Sequence, residues 1–232
     1  MRTAAILPIK SFGAAKQRLS PALGGGARQA LAQAMFSDVL SSLRKVERLD
    51  TITVVSADAT VDAAARGQGV TVLTDPSETG QSDATLVGIR HAMASGYDRV
   101  LLVPGDTPLL CPSELDALLA RGESDGMQVV IVPDRHGSGT NALLISPPDA
   151  FRPSFGSNSL NRHVTLAQEA GLKHSVEEVP SLSHDVDTPD DLSALADTFD
   201  ERRAVAPMTR GALRQLDRAR ASRFSPAEAV EV

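Results

Sequence analysis

Short unbroken apolar runs alternate along this chain with stretches of helical spacing, and that alternation governs the reading of the rest. Residues 4–9 are apolar and end at Lys10 in a stretch rich in Gly, Ser and Lys, as a buried strand feeding a loop does. Between residues 27 and 43, Leu31, Met35, Val39 and Leu43 recur every fourth position and mark one face of a helix. Further strands are predicted at 51–55, 70–73, 99–103 and 128–132, with helices at 59–66, 84–94 and 112–120 between them. Beyond residue 140 the alternation loosens. It gives a strand at 142–145, a turn at Pro147 and Pro148, a helix at 160–170, a strand at 174–178 and a last helix at 189–198. Strands separated by helices of this length imply right-handed βαβ units on a mostly parallel sheet covered on both faces, a doubly wound α/β fold. No internal repeat interrupts the pattern.

The last residues read differently. Positions 201–232 hold seven Arg against four acidic residues, and only Leu213 and Leu216 with flanking Ala hint at a short helix. The expected organisation is one nucleotide-handling domain over 1–200 and a basic tail over 201–232, partly disordered or packed on a partner subunit in a homodimer.

Composition narrows the function classes. No apolar run approaches the roughly 20 residues that cross a bilayer, and no secretory leader pattern opens the sequence, so a soluble cytoplasmic protein without membrane contacts is expected. Cys111 is the single cysteine, which excludes an intrachain disulfide or a cysteine metal cluster and reads as a small buried apolar residue. A net charge of −6, from 23 basic and 29 acidic residues, argues against broad nucleic-acid binding while allowing a local cationic pocket.

In open α/β sheets ligands bind beyond the carboxyl ends of the strands, so the residues that follow each strand carry the candidate chemistry. After the first strand, Lys10, Lys16 and Arg18 can converge on a triphosphate, although no Walker loop is present; a solvated basic loop is the alternative. Asp106, in Pro104-Gly105-Asp106-Thr107-Pro108, ends a strand in a fixed turn and suits magnesium, or else merely caps a turn. Asp185 and Asp187 stand two apart in an extended segment and can reach one cation together, while Asp187 or Thr188 can cap the helix that Pro189 opens. Two weaker clusters, residues 134–141 and 155–159, combine glycines with donors, the second ahead of a helix whose amides favour an anion.

These clusters, in this order, resemble the guanylyltransferases of deazaflavin coenzyme F(420) biosynthesis, which are similar to molybdenum cofactor guanylyltransferase and share a nucleotide-diphospho-sugar transferase-like fold. The resemblance spans residues 3–198. It is carried by Ala15-Lys16-Gln17-Arg18-Leu19, Pro104-Gly105-Asp106, Gly139-Thr140-Asn141-Ala142-Leu143, Phe155-Gly156 with Ser159 and His163, and Asp185-Val186-Asp187-Thr188-Pro189. It implies Mg²⁺ on Asp106, Asp185 and Asp187, the acid substrate on Thr140, Gly156 and Ser159, and phosphates on Lys16, while Lys10 and Arg18 are nucleotide-binding candidates from their place after the first strand. Thr85 and Leu86 stand where relatives often carry a Leu-Asn pair that helps bind the nucleotide.

The implied reaction is transfer of GMP from GTP to a small phosphorylated carboxylic acid, with pyrophosphate released and the product handed to the next enzyme of the pathway. Phosphoenolpyruvate, 2-phospho-L-lactate and 3-phosphoglycerate are the candidate acids. In that chemistry Lys16, Arg18 and Asp106 are the expected catalytic residues. The rival readings are a molybdopterin or sugar-phosphate nucleotidyltransferase, whose bulkier substrates need a wider pocket, and a catalytically inactive nucleotide-binding module.

Overall fold

Apolar runs as short as these can bury their backbone groups only by pairing with one another. In the computed structural model, which describes residues 1–75, 80–201 and 205–224, they form one seven-stranded sheet. Its strands are β1 (Thr3–Pro8), β2 (Thr51–Ser56), β3 (Thr71–Thr74), β4 (Arg99–Leu102), β5 (Val129–Pro133), β6 (Thr140–Ile145) and β7 (His174–Val176), in the order β3-β2-β1-β4-β6-β5-β7. β6 runs antiparallel to both β4 and β5, and the other pairs are parallel. The reversal matters for the site. Because Leu143 pairs with Leu102 and Thr140 with Pro133, the first residues of β6 lie at the edge where β4 and β5 end.

Among the described residues the sheet carries α1 (Gly25–Leu43), α2 (Ala59–Arg66), α3 (Gln81–Ala94), α4 (Pro112–Ser124) and α5 (Ser159–Glu169), and α6 (Pro189–Glu201) and α7 (Pro207–Phe224) pack outside α1. Side chains alternate between the faces of each strand. Ala5 and Leu7 of β1 therefore meet α1, α2 and α4, whereas Ala4 and Ile6 meet α3 and α5. This is the doubly wound α/β architecture that the strand and helix spacing implies.

A third apolar cluster lies beyond α1, where Leu31 and Met35 pack with Leu195 and Phe199 of α6 and Leu213 and Leu216 of α7. Val39 and Leu43, further along the same row, face the sheet. A row of residues four apart advances about 40° around a helix axis per step, so one stripe on α1 serves two cores.

The expectation of only a short helix in the tail is corrected. α7 runs from Pro207 to Phe224 and docks on α1 of its own chain, while residues 202–204 and 225–232 lie outside those described. Its start is capped from a distance: the carboxylate of Asp38 on α1, 3% exposed, accepts Met208 N at 3.2 Å, Thr209 N at 2.7 Å and Thr209 Oγ1 at 2.7 Å. Cys111 is also corrected. It is half-buried rather than buried, because it sits at the N-cap of α4 with its backbone N–H given to Ser181 Oγ.

Asp38→Ala should destabilise the full chain by about 1–3 kcal/mol, since three donors at the start of α7 lose a charged acceptor. Thermal unfolding of the two proteins measures this, and an unchanged midpoint would mean that the α1–α7 contact contributes nothing to the fold.

Candidate functional site

Three loops meet beyond the carboxyl ends of β1 and β4. The loop after β1 is anchored by Phe12, 2% exposed and tilted against the Phe36 ring at 5.6 Å. It closes with turn bonds from Ala14 N to Ser11 O and from Ala15 N to Phe12 O. Lys16 follows in the left-handed region at φ 58°, a conformation that costs a non-glycine residue roughly 1 kcal/mol. That backbone directs its side chain inward. The ammonium donates to Asp106 Oδ2 and, at 2.9 Å, to Asp187 Oδ1, with the Lys16 side chain only 6% exposed.

Asp106 is placed by the turn after β4. A Cβ added at Gly105 would stand 2.3 Å from Ile9 Cδ1, so the glycine lets this turn close onto the β1 loop. Asp185 and Asp187 flank Val186, which is fully buried in the third core cluster and gives its N–H to Asp106 O at 3.3 Å. The apolar residue thus inserts on one side while its two acidic neighbours turn toward the loops. Capping of α6 falls to Thr188 and Asp191: Asp191 Oδ2 accepts from Thr188 N, Thr188 Oγ1 and Asp187 N, and Thr188 Oγ1 accepts from Asp191 N. Arg135 braces Asp191 at 2.5 Å. Asp187 is thereby released from capping and meets Lys16.

The electrostatics follow from burial. Burial alone would lower the pKa of Lys16, but the charges of Asp106 and Asp187 and their hydrogen bonds overcome it and raise the pKa above that of an ordinary lysine. Asp185 is pushed up to about 6, by burial first and then by the charge of Asp106, against the opposing hydrogen bond from Asn141. Three carboxylates and one ammonium leave two negative charges when all are ionised. Among the described residues, Asp106 Oδ1 is moreover buried without a hydrogen-bond partner. Hard oxygen donors with an excess of negative charge suit Mg²⁺. Among the described residues no group of three or more His, Cys, Asp or Glu side chains is already drawn together in metal-holding geometry, since Lys16 stands between Asp106 and Asp187.

Lys10, Lys16 and Arg18 line one cleft of about 430 Å³ together with Gln81, Asp106 and Asp187. Of the three expected phosphate-binding cations, Lys10 and Arg18 are exposed to that cleft and Lys16 is engaged by the carboxylates. A second compartment of about 450 Å³ shares Lys10 and Gln81 with it and adds Ser11, Asp58 and Asp75. Gly156 and Ser159 are brought together, Thr140 is joined to the same helix through His163, and all three stand outside the walls of the Lys16 cleft. Thr140 Oγ1 lies 2.9 Å from His163 Nδ1, Ser159 N donates to Gly156 O at 3.1 Å, and Gly156 takes a φ of 110° that only glycine adopts readily. The link between the two groups is Asn141, beside Thr140, whose amide donates to Leu182 O at 2.7 Å and Asp185 Oδ1 at 3.1 Å.

With this geometry in place, the comparisons with known proteins carry more than a fold. Residues 3–203 match the family described as "Guanylyl transferase CofC like". The chain belongs to that family. It is 50% identical over 216 residues to a phosphoenolpyruvate guanylyltransferase of Conexibacter woesei, covering 93% of this chain and 97% of that protein. It is 36% identical over 179 residues to a 2-phospho-L-lactate guanylyltransferase of Methanothermobacter thermautotrophicus, covering 76% of each. A Desulfovibrio desulfuricans G20 structure, provisionally named a nucleotide-diphospho-sugar transferase, superposes with a TM-score of 0.76 at 19% identity, over 94% of this chain and 96% of that one. A nucleotidyl transferase from Methanothermobacter gives 0.63 at 20%, over 86% and 98%. These two likenesses support the fold, and the family supports a nucleotidyltransferase. The inactive-module reading accordingly falls away.

Within the guanylyl transferase family frame, Thr85 does not face either compartment: it is fully buried and its hydroxyl bonds back to Gln81 O at 2.7 Å. Leu86 packs against the α3–α5 core. Gln81, at the start of α3, lines both compartments instead. Sequence reading passed over Asn141, Asp191 and His163 as actors. Each lies inside one of those motifs or beside one, yet Thr140 is 23 positions from His163 and Asp185 is 44 from Asn141, while Asp191 acts in a cap at the start of its own helix.

His163 offers a pH test of this packing. Burial first, and then the charge of Arg162, lowers its pKa from 6.5 to about 4. The folded chain must keep the ring neutral, so its contribution is complete above pH 6.5 and is lost as pH falls toward about 4. Stability should decline through that window by up to about 1.4 kcal/mol per pH unit from this group, and His163→Gln should flatten the slope by that amount. Urea titrations across the window compare the two proteins, and coincident acid limbs would show that His163 is not held neutral by the fold.

Proposed function

We propose that this chain transfers GMP from GTP to the phosphate of phosphoenolpyruvate or 2-phospho-L-lactate with Mg²⁺, as a step of coenzyme F(420) biosynthesis. The observation that carries this reading is the Lys16 ammonium clamped between Asp106 and Asp187 in a cleft at the strand ends. The names of the relatives supply the class of acid.

The nucleophile is an oxygen of the acid's phosphate. Already anionic near neutral pH, it needs no side chain to remove a proton, and the site accordingly gathers charges rather than a base and its orienting partner. A bond forms from that oxygen to the α-phosphorus of GTP, the bond from the α-phosphorus to the bridging oxygen breaks, and pyrophosphate departs with that oxygen. Lys10 and Arg18 neutralise the triphosphate and the departing group, while Lys16 holds Asp106 and Asp187 in register and adds a positive charge at the reacting end. Bound Mg²⁺, held by Asp106, Asp185 and Asp187, would supply charge neutralisation on the phosphate oxygens. The neighbouring compartment with Ser11, Asp58 and Asp75 has room for the nucleoside. Thr140, Gly156 and Ser159, at the start of β6 and the start of α5, hold the acid.

Incubating the full chain with GTP, a magnesium salt and each acid in turn, with products read by mass spectrometry, tests the reaction directly. Asp106→Asn and Asp187→Asn should each lower turnover a hundredfold or more, on the order of 3 kcal/mol of transition-state stabilisation. Thr140→Val should raise KM for the acid by about tenfold and leave KM for GTP nearly unchanged. No guanylylated product from either acid would refute the reaction, and near-normal rates in both Asn variants would remove the carboxylates from it.

A further inference from the structure

His163 lies fully buried in α5, with both ring nitrogens in hydrogen bonds. Nε2 sits 3.0 Å from the backbone N of Ser154. A backbone amide can only donate, so Nε2 carries a lone pair and no proton. Burial and the neighbouring Arg162 keep the ring neutral down to about pH 4. A neutral imidazole has one proton, which must then be on Nδ1. Nδ1 faces Thr140 Oγ1 at 2.9 Å, and therefore donates to it.

The consequence falls on the Thr140 hydroxyl. Its lone pair receives the ring proton, so its own proton points elsewhere. Among the described residues the ring is that hydroxyl's one hydrogen-bond partner. The opposite tautomer would reverse the polarity: the hydroxyl would donate to Nδ1 and present only lone pairs outward, which repel an anion. Phe155 meets the imidazole edge-on at 5.1 Å and Phe151 lies at 6.3 Å, packing that disfavours a flip of the ring. Arg162, bonded to Ser154 O at 3.1 Å and to Ser154 Oγ at 3.1 Å, holds the segment whose amide selects the tautomer.

We propose that His163 is a positioning residue that sets the donor direction of Thr140, turning its hydroxyl proton toward an anionic oxygen, carboxylate or phosphate, of the phosphorylated acid. This rests on the reading of Thr140 as an acid-holding side chain. The loop of Ser154, the ring and the hydroxyl form a chain in which every donor and acceptor is assigned by its neighbour, starting from a backbone N–H that has no alternative role.

Steady-state kinetics of the full chain with phosphoenolpyruvate and GTP, in His163→Phe, His163→Gln, Thr140→Val and the double variant His163→Phe/Thr140→Val, test the assignment. His163→Phe should raise KM for phosphoenolpyruvate about tenfold while KM for GTP stays near native. His163→Gln, whose amide can accept from Ser154 N and donate to Thr140, should recover most of that loss. Added to Thr140→Val, His163→Phe should change nothing further. A Thr140→Val protein with native KM for phosphoenolpyruvate overturns the acid-holding reading and this proposal with it. If Thr140→Val acts but His163→Phe multiplies its effect, or moves both KM values alike, the positioning role alone is wrong. Should His163→Phe fail to fold, ¹⁵N spectra of histidine-labelled native chain decide: a proton on Nδ1 supports the assignment, and one on Nε2 overturns it.

Discussion

A lysine ammonium buried between carboxylates is the interaction on which the rest of the site depends. The lysine would not be tolerated alone: its side chain is 6% exposed, and an isolated buried charge costs several kcal/mol, whereas Asp106 and Asp187 keep part of their surface in solvent. Lys16 accepts a left-handed backbone to reach this place, and the turn at Gly105 and the buried Val186 bring Asp106 and Asp187 to it from positions 90 and 171 residues away. The balance is incomplete, since one ammonium faces three carboxylates. Asp185 has a raised pKa, through its burial first and then through the charge of Asp106. On the function proposed here, this excess of negative charge, beside a cleft lined by Lys10 and Arg18, would be met by a divalent cation and a polyphosphate together.

The antiparallel strand is the second constraint. Had β6 run parallel to its neighbours, its first residues would lie at the opposite edge of the sheet from Asp106. Reversal puts Thr140 and Asn141 at the working edge, and because strand residues alternate, the two serve different sides. Asn141 reaches Asp185, and Thr140 reaches His163 on α5. One dipeptide thus ties the carboxylate cluster to the start of α5.

Much of this was legible in the sequence because the signals are local. Continuous apolar runs marked β1, β4 and β5, and the Thr188-Pro189 start of α6 carries its own cap through Asp191. The motif residues were legible too: Lys16, Asp106 and Asp187, singled out from three separate segments, meet in one cluster. What stayed hidden depends on distant partners. The direction of β6 is invisible because a fully buried apolar run has no polarity. α7 reads as a weak tail because its apolar side is thin and its cap, Asp38, lies about 170 residues upstream. The inward turn of Lys16 was equally hidden, since a lysine in a polar loop reads as solvated until its two acidic partners are in place.

Charge balance in the Lys16 cluster can be measured without turnover. Lys16→Met keeps the length of the apolar stem and removes the ammonium, so the thermal stability of this variant with and without millimolar magnesium tests whether the carboxylates need a cation. The account predicts a loss of about 1–3 kcal/mol in the absence of magnesium, discounted for the partial exposure of Asp106 and Asp187. Magnesium, but not potassium at equal ionic strength, should restore part of that loss and stabilise the variant more than the native chain. A Lys16→Met protein as stable as the native one, or one indifferent to magnesium, would contradict it.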